Sequence, residues 1–171
     1  EIPGSLVGSE MCIRDRTGVL DKEVVVLDSL NLAGFEKNKS GFWNWDHVVS
    51  AAEHYGERGH PVICVCPVWI PKEVKTKLKQ ICMMVDLFGH DKSIDDKYVL
   101  MHTLLYDGFF VSNDTNMSEH FVKSNVFIRN WVERSRIGFR FEGGDFVPYQ
   151  QRPDQTKQPT LHSLFGEEVR E

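Results

Sequence analysis

Two runs of this chain are apolar without alternation. Val24-Val25-Val26-Leu27 stops at Asp28-Ser29-Leu30-Asn31, and Pro61-Val62-Ile63-Cys64-Val65-Cys66-Pro67-Val68 follows later. Such runs predict strands buried on both faces, as in a parallel sheet covered by helices. Between them, residues 32–41 have the Gly, Lys, Asn and Ser of a loop. Residues 42–58 predict a helix, with Trp45, Val48, Val49, Ala52 and Tyr55 at three- and four-residue spacing and Gly59 ending it. Pro71 opens a short helix to about Gln80, and Ile81 to Phe88 predicts a third strand. After a turn at Gly89-His90-Asp91-Lys92, a helix starts at Ser93 and reaches about Tyr106, with Val99, Leu100, Leu104 and Leu105 apolar. Asp107-Gly108 breaks it, and Phe109 to Ser112 predicts a fourth strand. Phe121 to Glu133 has helical spacing at Phe121, Val126, Phe127, Ile128 and Trp131. Ile137 to Phe141 and Asp145 to Pro148, separated by Gly143-Gly144, predict a terminal strand and turn. Residues 150–159 read as loose, and Thr160 to Phe165 as a last helical turn. The alternation of strand and helix predicts a doubly wound α/β layer.

Composition narrows the class. A chain of 171 residues, 41% hydrophobic and 26% charged, suits one globular domain with its own core. No apolar run approaches the ~20 residues of a membrane span, so no membrane association is expected. The formal net charge of −5 argues against a uniformly basic surface and leaves room for a local basic patch. Cys12, Cys64, Cys66 and Cys82 form no zinc pattern and read as reduced thiols, which favours the cytoplasm, with the nucleus as a second compartment. The histidines contain no HExxH and no helical i, i+4 pair, which excludes the usual zinc chemistries. Residues 1–17 fit neither a secretory signal nor the pattern that follows. Val7 to Arg16 resembles translated sequencing-adapter DNA, so 1–17 is expected to be a disordered tail or an artefact and 18–171 the domain.

The chemistry is carried by acids. Asp28 follows the first strand, Asp114 the fourth, and Asp95 and Asp96 begin the helix between. In a parallel sheet the strand exits share one edge, where such folds bind ligands. Carboxylates gathered there repel unless a cation lies between them, and oxygen ligands without thiolate or imidazole suit Mg²⁺ or Mn²⁺. Each acid also has a plain reading. Asp28 can start a turn or cap a helix, Ser93 with Asp96 resembles a capping box, and Asp114 can be a turn residue.

Asp28-Ser29-Leu30-Asn31, Ile94-Asp95-Asp96-Lys97-Tyr98 and Asp107-Gly108-Phe109-Phe110-Val111-Ser112-Asn113-Asp114-Thr115 together resemble the Regnase (MCP-induced protein) ribonucleases, a NYN/PIN-like family. Gly59-His60, Pro67-Val68-Trp69 and Thr160-Leu161-His162-Ser163-Leu164-Phe165 resemble it too, in the same order, over roughly Val24 to Phe165. The resemblance implies a PIN-like three-layer α/β domain, its central, mainly parallel sheet flanked by helices. It implies a Mg²⁺-dependent endoribonuclease of mRNA turnover that cuts single-stranded or stem-loop RNA, leaving a 5′-phosphate and a 3′-hydroxyl. Carried across, Asp28, Asp96 and Asp114 match metal-site acids, Asp95 the adjoining acid and Asn31 the companion of the first acid. RNA is the implied partner, and a homodimer stays open. The chain departs from the family pattern at Ser29, where Gly is usual, and at Ser118, where a further acid is usual; Glu119 is one position off. Its basic loop before the paired acids is also short.

For holding RNA, Lys72, Lys75 and Lys79 share a helix face, and Arg129 and Arg134 belong to a second basic group with Arg136 and Arg140. Trp69, beside the second strand's exit, is the candidate for stacking on unpaired bases, and Trp43, Trp45 and Trp131 are expected in the core. The lysines read equally as a solvated face. A competing reading is a degenerate nuclease fold that binds RNA or protein without cutting, motivated by Ser118. A phosphatase with Asp28 as nucleophile would call for Asp-x-Asp, and Leu30 holds the second position.

Overall fold

A computed structural model describes residues 22–88, 92–117 and 126–149. The 1–17 stretch, the turn at 89–91, Ser118, Glu119, Phe121 and the segment 150–171 lie outside the described residues. The elements are β1 (Val25–Asp28), α1 (Ser29–Ala33), α2 (Lys37–Ser40), α3 (Asp46–Glu57), β2 (Val62–Pro67), α4 (Lys72–Ile81) and β3 (Met83–Leu87). They continue with α5 (Lys92–Leu105), β4 (Phe109–Val111), α6 (Val126–Ser135), β5 (Arg136–Ile137), β6 (Phe139–Glu142) and β7 (Asp145–Pro148). Among the described residues, β1 to β5 form one parallel sheet in the order β3-β2-β1-β4-β5, and β6-β7 form an antiparallel hairpin.

β1 lies at the centre of the sheet, and its residues are buried throughout. Its alternation divides the core in two. Val25 and Leu27 pack with α1, α3 and the hairpin, while Val24 and Val26 pack with α5 and α6. The predicted α/β layer with helices on both faces is therefore the observed architecture. Register pins the edge: Asp28 pairs with Val65, and Leu27 with Val111, so Ser112 follows level with Asp28.

Four segments depart from the pattern reading. Residues 32–41 are not a plain loop, because Asp28 caps α1 directly and α2 follows. The predicted strand at 137–141 is broken at Gly138: Arg136–Ile137 completes the parallel sheet and Phe139–Glu142 turns away into the hairpin. That hairpin closes through Gly143 and Gly144, with φ of 58° and 87°, the twin left-handed conformation that a two-residue turn needs. In α6, Ile128, Trp131 and Val132 face the core, whereas Val126 and Phe127 face solvent. Trp43 and Trp45, expected in the core, are only partly covered and pack against its margin.

Candidate active site

Asp28 closes β1 with the same parity as Val24 and Val26, so its side chain falls on the α5 side of the sheet. It is 5% exposed. Its Oδ1 accepts the backbone N–H of Asn31 at 3.3 Å, which caps α1, and its Oδ2 accepts the Ser112 hydroxyl at 2.9 Å. The capping and edge-acid readings of Asp28 hold together. Ser112 is fully buried, and its oxygen in turn accepts the Asp114 N–H at 3.1 Å. One serine thus ties the end of β1 to the loop after β4.

The loop is fastened further by side-chain amides. Asn31 Oδ1 accepts the Asn113 N–H at 2.7 Å. The Asn113 amide pairs with the backbone of Phe139 on both sides, donating to its carbonyl at 2.9 Å and accepting its N–H at 2.8 Å. Arg136 Nη1 donates to the Ser112 carbonyl at 3.2 Å. Asp114 is half-exposed, and its Oδ1 accepts the Asn116 N–H at 2.8 Å, which is the turn reading of that residue. The sequence assigns no role to Ser112 or Asn113, because their partners on β1 and α1, Asp28 and Asn31, are more than eighty residues away in the chain.

Asp96 comes from α5. It lies three and four residues before Val99 and Leu100, hence on the helix face that packs on the sheet, and is 8% exposed. Burial, then the charges of Asp28, Asp114 and Asp95, pushes its carboxyl up to about 8. Burial also pushes Asp28 up to about 6, with Ser112 and Asn31 acting in the opposite direction and the charges of Asp95 and Asp114 adding to the rise. Asp28 and Asp96 therefore respond to the charges of Asp95 and Asp114 across this edge, and Asp96 to that of Asp28 as well. Asp95 is half-buried beside Asp96.

The donor set fits a hard divalent cation. Two buried carboxylates, each opposed in ionising by burial and by neighbouring acids, are relieved by positive charge between them. Among the described residues, no three acidic, His or Cys side chains are gathered closely enough to enclose one ion directly. Mg²⁺ commonly takes one or two carboxylates and keeps several waters. Ser29, where the resembled family has Gly, is buried with its Oγ unpartnered among the described residues.

The basic residues are dispersed. Lys72 and Arg129 are exposed in the first turns of α4 and α6, which leave the carboxyl edge. Lys75 is paired with Asp86 of β3 at 3.1 Å, so it is not the free cation its helix face predicted. Lys79 and Arg134 lie toward the opposite helix ends, roughly 10 and 8 Å of helical rise from Lys72 and Arg129. Trp69, two residues past β2, is 53% exposed and contacts Trp43 and Trp45.

Comparison with solved structures finds the same fold in Arabidopsis thaliana nuclear protein-only RNase P 2 (PRORP2). The TM-score is 0.51 at 18% identity, over 88% of this chain and 34% of that one. A lysine mutant of T5 5′-exonuclease matches at TM-score 0.37 and 15% identity, over 73% of this chain and 53% of that one. Comparison with curated proteins finds no match. The model of the Zc3h12a-like ribonuclease NYN domain matches residues 21–163, a span that includes β1, α5 and the β4 exit with all four acids. The chain therefore belongs to the Zc3h12a-like ribonuclease NYN domain family.

Proposed function

We propose that this domain is a divalent-metal-dependent endoribonuclease that hydrolyses single-stranded and stem-loop RNA, in cytoplasmic mRNA turnover. The observation that carries the reading is the pair Asp28 and Asp96, two buried acids from separate elements, with Asp28's charge acting on Asp96 at the carboxyl edge of a ribonuclease-family sheet. Asp28 and Asp96 would hold Mg²⁺ or Mn²⁺ with waters completing its shell, and Asp114 and Asp95 add negative charge beside them. When bound, such an ion polarises the scissile phosphate and makes water acidic enough to attack in line. The chain's own residues prepare that site. Ser112 aims the Asp28 carboxylate, while Asn31 and Asn113 hold the β4 exit in register with β1. Lys72 and Arg129 offer positive charge to the phosphates on either side. Cleavage at the 3′-oxygen leaves a 5′-phosphate and a 3′-hydroxyl.

The test is incubation of a labelled stem-loop RNA with Mg²⁺ or Mn²⁺, with EDTA, and with Asp28→Asn. Cleavage in metal, and none with EDTA or in the variant, is the expected result. Cleavage that survives EDTA removes the mechanism, and RNA binding without cleavage in either metal replaces it with a binding role.

Ser112→Ala tests the positioning. It leaves Asp28 Oδ2 without its hydroxyl donor and Asp114 N–H without its acceptor. A hydrogen bond to a charged group contributes about 1.5–3 kcal/mol, so a cleavage rate lowered by roughly 10-fold or more is expected, with RNA affinity retained. Single-turnover rates at saturating RNA measure it, and a wild-type rate would remove Ser112 from the site.

A further inference from the structure

Two segments well apart in the chain bring three tryptophans together at the exit of β2. Trp43 and Trp45 precede α3, and Trp69 lies between β2 and α4. Ring centroids are 6.2 Å apart for Trp43 and Trp45, 5.9 Å for Trp43 and Trp69, and 5.6 Å for Trp45 and Trp69. Trp69 meets its two neighbours at 55° and 75°, so it is not sandwiched, and more than half of it faces solvent. Phe42 and Val68, next to these rings in the chain, are 63% and 42% exposed. An apolar patch of this kind, left open on a folded domain, marks a surface that meets something.

The patch is built rigidly and carries a cation. The Trp43 ring stands over Gly34, where a Cβ would lie 3.1 Å from its Cζ3. The Asn44 N–H donates to the Ala33 carbonyl at 2.8 Å, and His47 Nδ1 bonds the Leu32 carbonyl at 3.3 Å, so the loop is fixed to α1. Lys37 Nζ lies 3.7 Å from the centre of the Trp43 ring. An exposed indole with a lysine over the neighbouring ring suits a base and its phosphate, since every base has a π-face and stacking contributes about 1–3 kcal/mol per base. Position agrees. β2 is the direct neighbour of β1, about 5 Å away, and Trp69 lies past the exit end where Asp28 also lies.

We infer that Trp43, Trp45, Trp69 and Lys37 form a nucleobase-stacking subsite for an unpaired nucleotide of the RNA, with Trp69 as the stacking ring. This rests on RNA being the ligand, as proposed above, and adds where one of its bases is held. A strand engaged there crosses the carboxyl edge from the acids toward the tryptophans, so the subsite selects RNA that is unpaired on that side of the cut.

The test measures affinity, not cleavage. The full chain in EDTA is titrated into a fluorescent uridine octamer and into an octamer of the same charge whose sugars carry no bases, with anisotropy as the readout. Trp69→Ala is expected to weaken binding of the uridine octamer by about 10-fold or more and to leave the baseless octamer unchanged. Trp69→Phe is expected to retain most of the affinity. Equal affinity of wild type and Trp69→Ala for the uridine octamer overturns the proposal. So does equal weakening on both octamers, or a Trp69→Ala effect confined to self-association in sedimentation. Failure of this subsite with metal-dependent cleavage intact leaves the ribonuclease reading standing. A stacking loss in a chain that never cuts RNA supports the subsite and removes the ribonuclease reading.

Discussion

Asp96→Asn is expected to abolish metal-dependent RNA cleavage, by roughly 10³-fold, and at the same time to make the metal-free protein more stable at pH 8. Both effects have one cause. Asp96 is buried against Asp28, Asp95 and Asp114, and its carboxyl is pushed up to about 8 against an ordinary 3.8. Between those values the folded chain holds a proton that the unfolded chain releases, so stability falls as pH rises from about 4 to about 8. The cost accumulates at about 1.4 kcal/mol per pH unit across that window, less what solvent at the site mouth screens. Asp28, pushed up to about 6, adds a smaller loss of the same sign between about 4 and 6. An amide at 96 removes the charge and keeps the shape. At about 2–4 °C per kcal/mol for a domain of this size, a melting temperature raised by some 5–10 °C at pH 8 is expected, with the gain vanishing toward pH 4. Mg²⁺ should raise the melting temperature of the wild type and leave that of Asp96→Asn unmoved, because binding to the folded state alone stabilises it. Thermal melts across pH 4–8, with and without Mg²⁺, decide this. A wild type whose melting point rises steadily from pH 4 to 8 without metal would contradict the burial-driven repulsion.

What the sequence made legible follows burial on two sides. The β1 and β2 runs carry no polar residue until their ends, which is possible only for strands covered by helices on both faces, and both are found where the pattern put them. The place of Asp28 was legible for the same reason, since a carboxylate closing such a run has a fixed edge. Roles created by tertiary hydrogen bonds were not. Nothing local marks Ser112 as the donor to Asp28 or Asn113 as the clasp on Phe139, because each partner arrives through the sheet. Lys75 looked like one of three equivalent lysines, and only the packing of α4 beside β3 brings Asp86 against it. The tryptophans fail differently: helical spacing at Trp45 suggested core, yet α3 begins one residue later and leaves the ring at the margin. Gly138 breaks a run whose apolar pattern continues through it, so β5 and β6 read as one strand until their partners are seen to differ.

Gly108→Ala is expected to lower the melting temperature by more than 10 °C or to prevent recovery of folded protein. Gly108 stands where α5 returns into β4, directly after Asp107, whose φ of 51° makes the sharp turn. A Cβ on Gly108 would lie 2.2 Å from the Val24 carbonyl oxygen and 3.0 Å from its carbon. Both are backbone atoms at the start of the central strand, so no side chain can swing aside. The same carbonyl accepts the Phe109 N–H at 2.9 Å, the first rung between β1 and β4. Relief requires β4 to move away from β1, breaking that rung and opening a core that is packed like a crystal, at a cost of about 3 kcal/mol or more. Gly59→Ala is the control. Gly59 has φ of 82° with nothing within 4 Å of the added carbon, so only left-handed strain of about 1–2 kcal/mol applies and a loss of a few degrees is expected. The two variants separate close approach from backbone conformation. Because β4 delivers Ser112 and Asp114 to Asp28, a folded Gly108→Ala protein should also lose metal-dependent stabilisation. One that melts within 3 °C of wild type and still binds Mg²⁺ would mean that β4 is not held at this distance, and that the acid edge is not built as described.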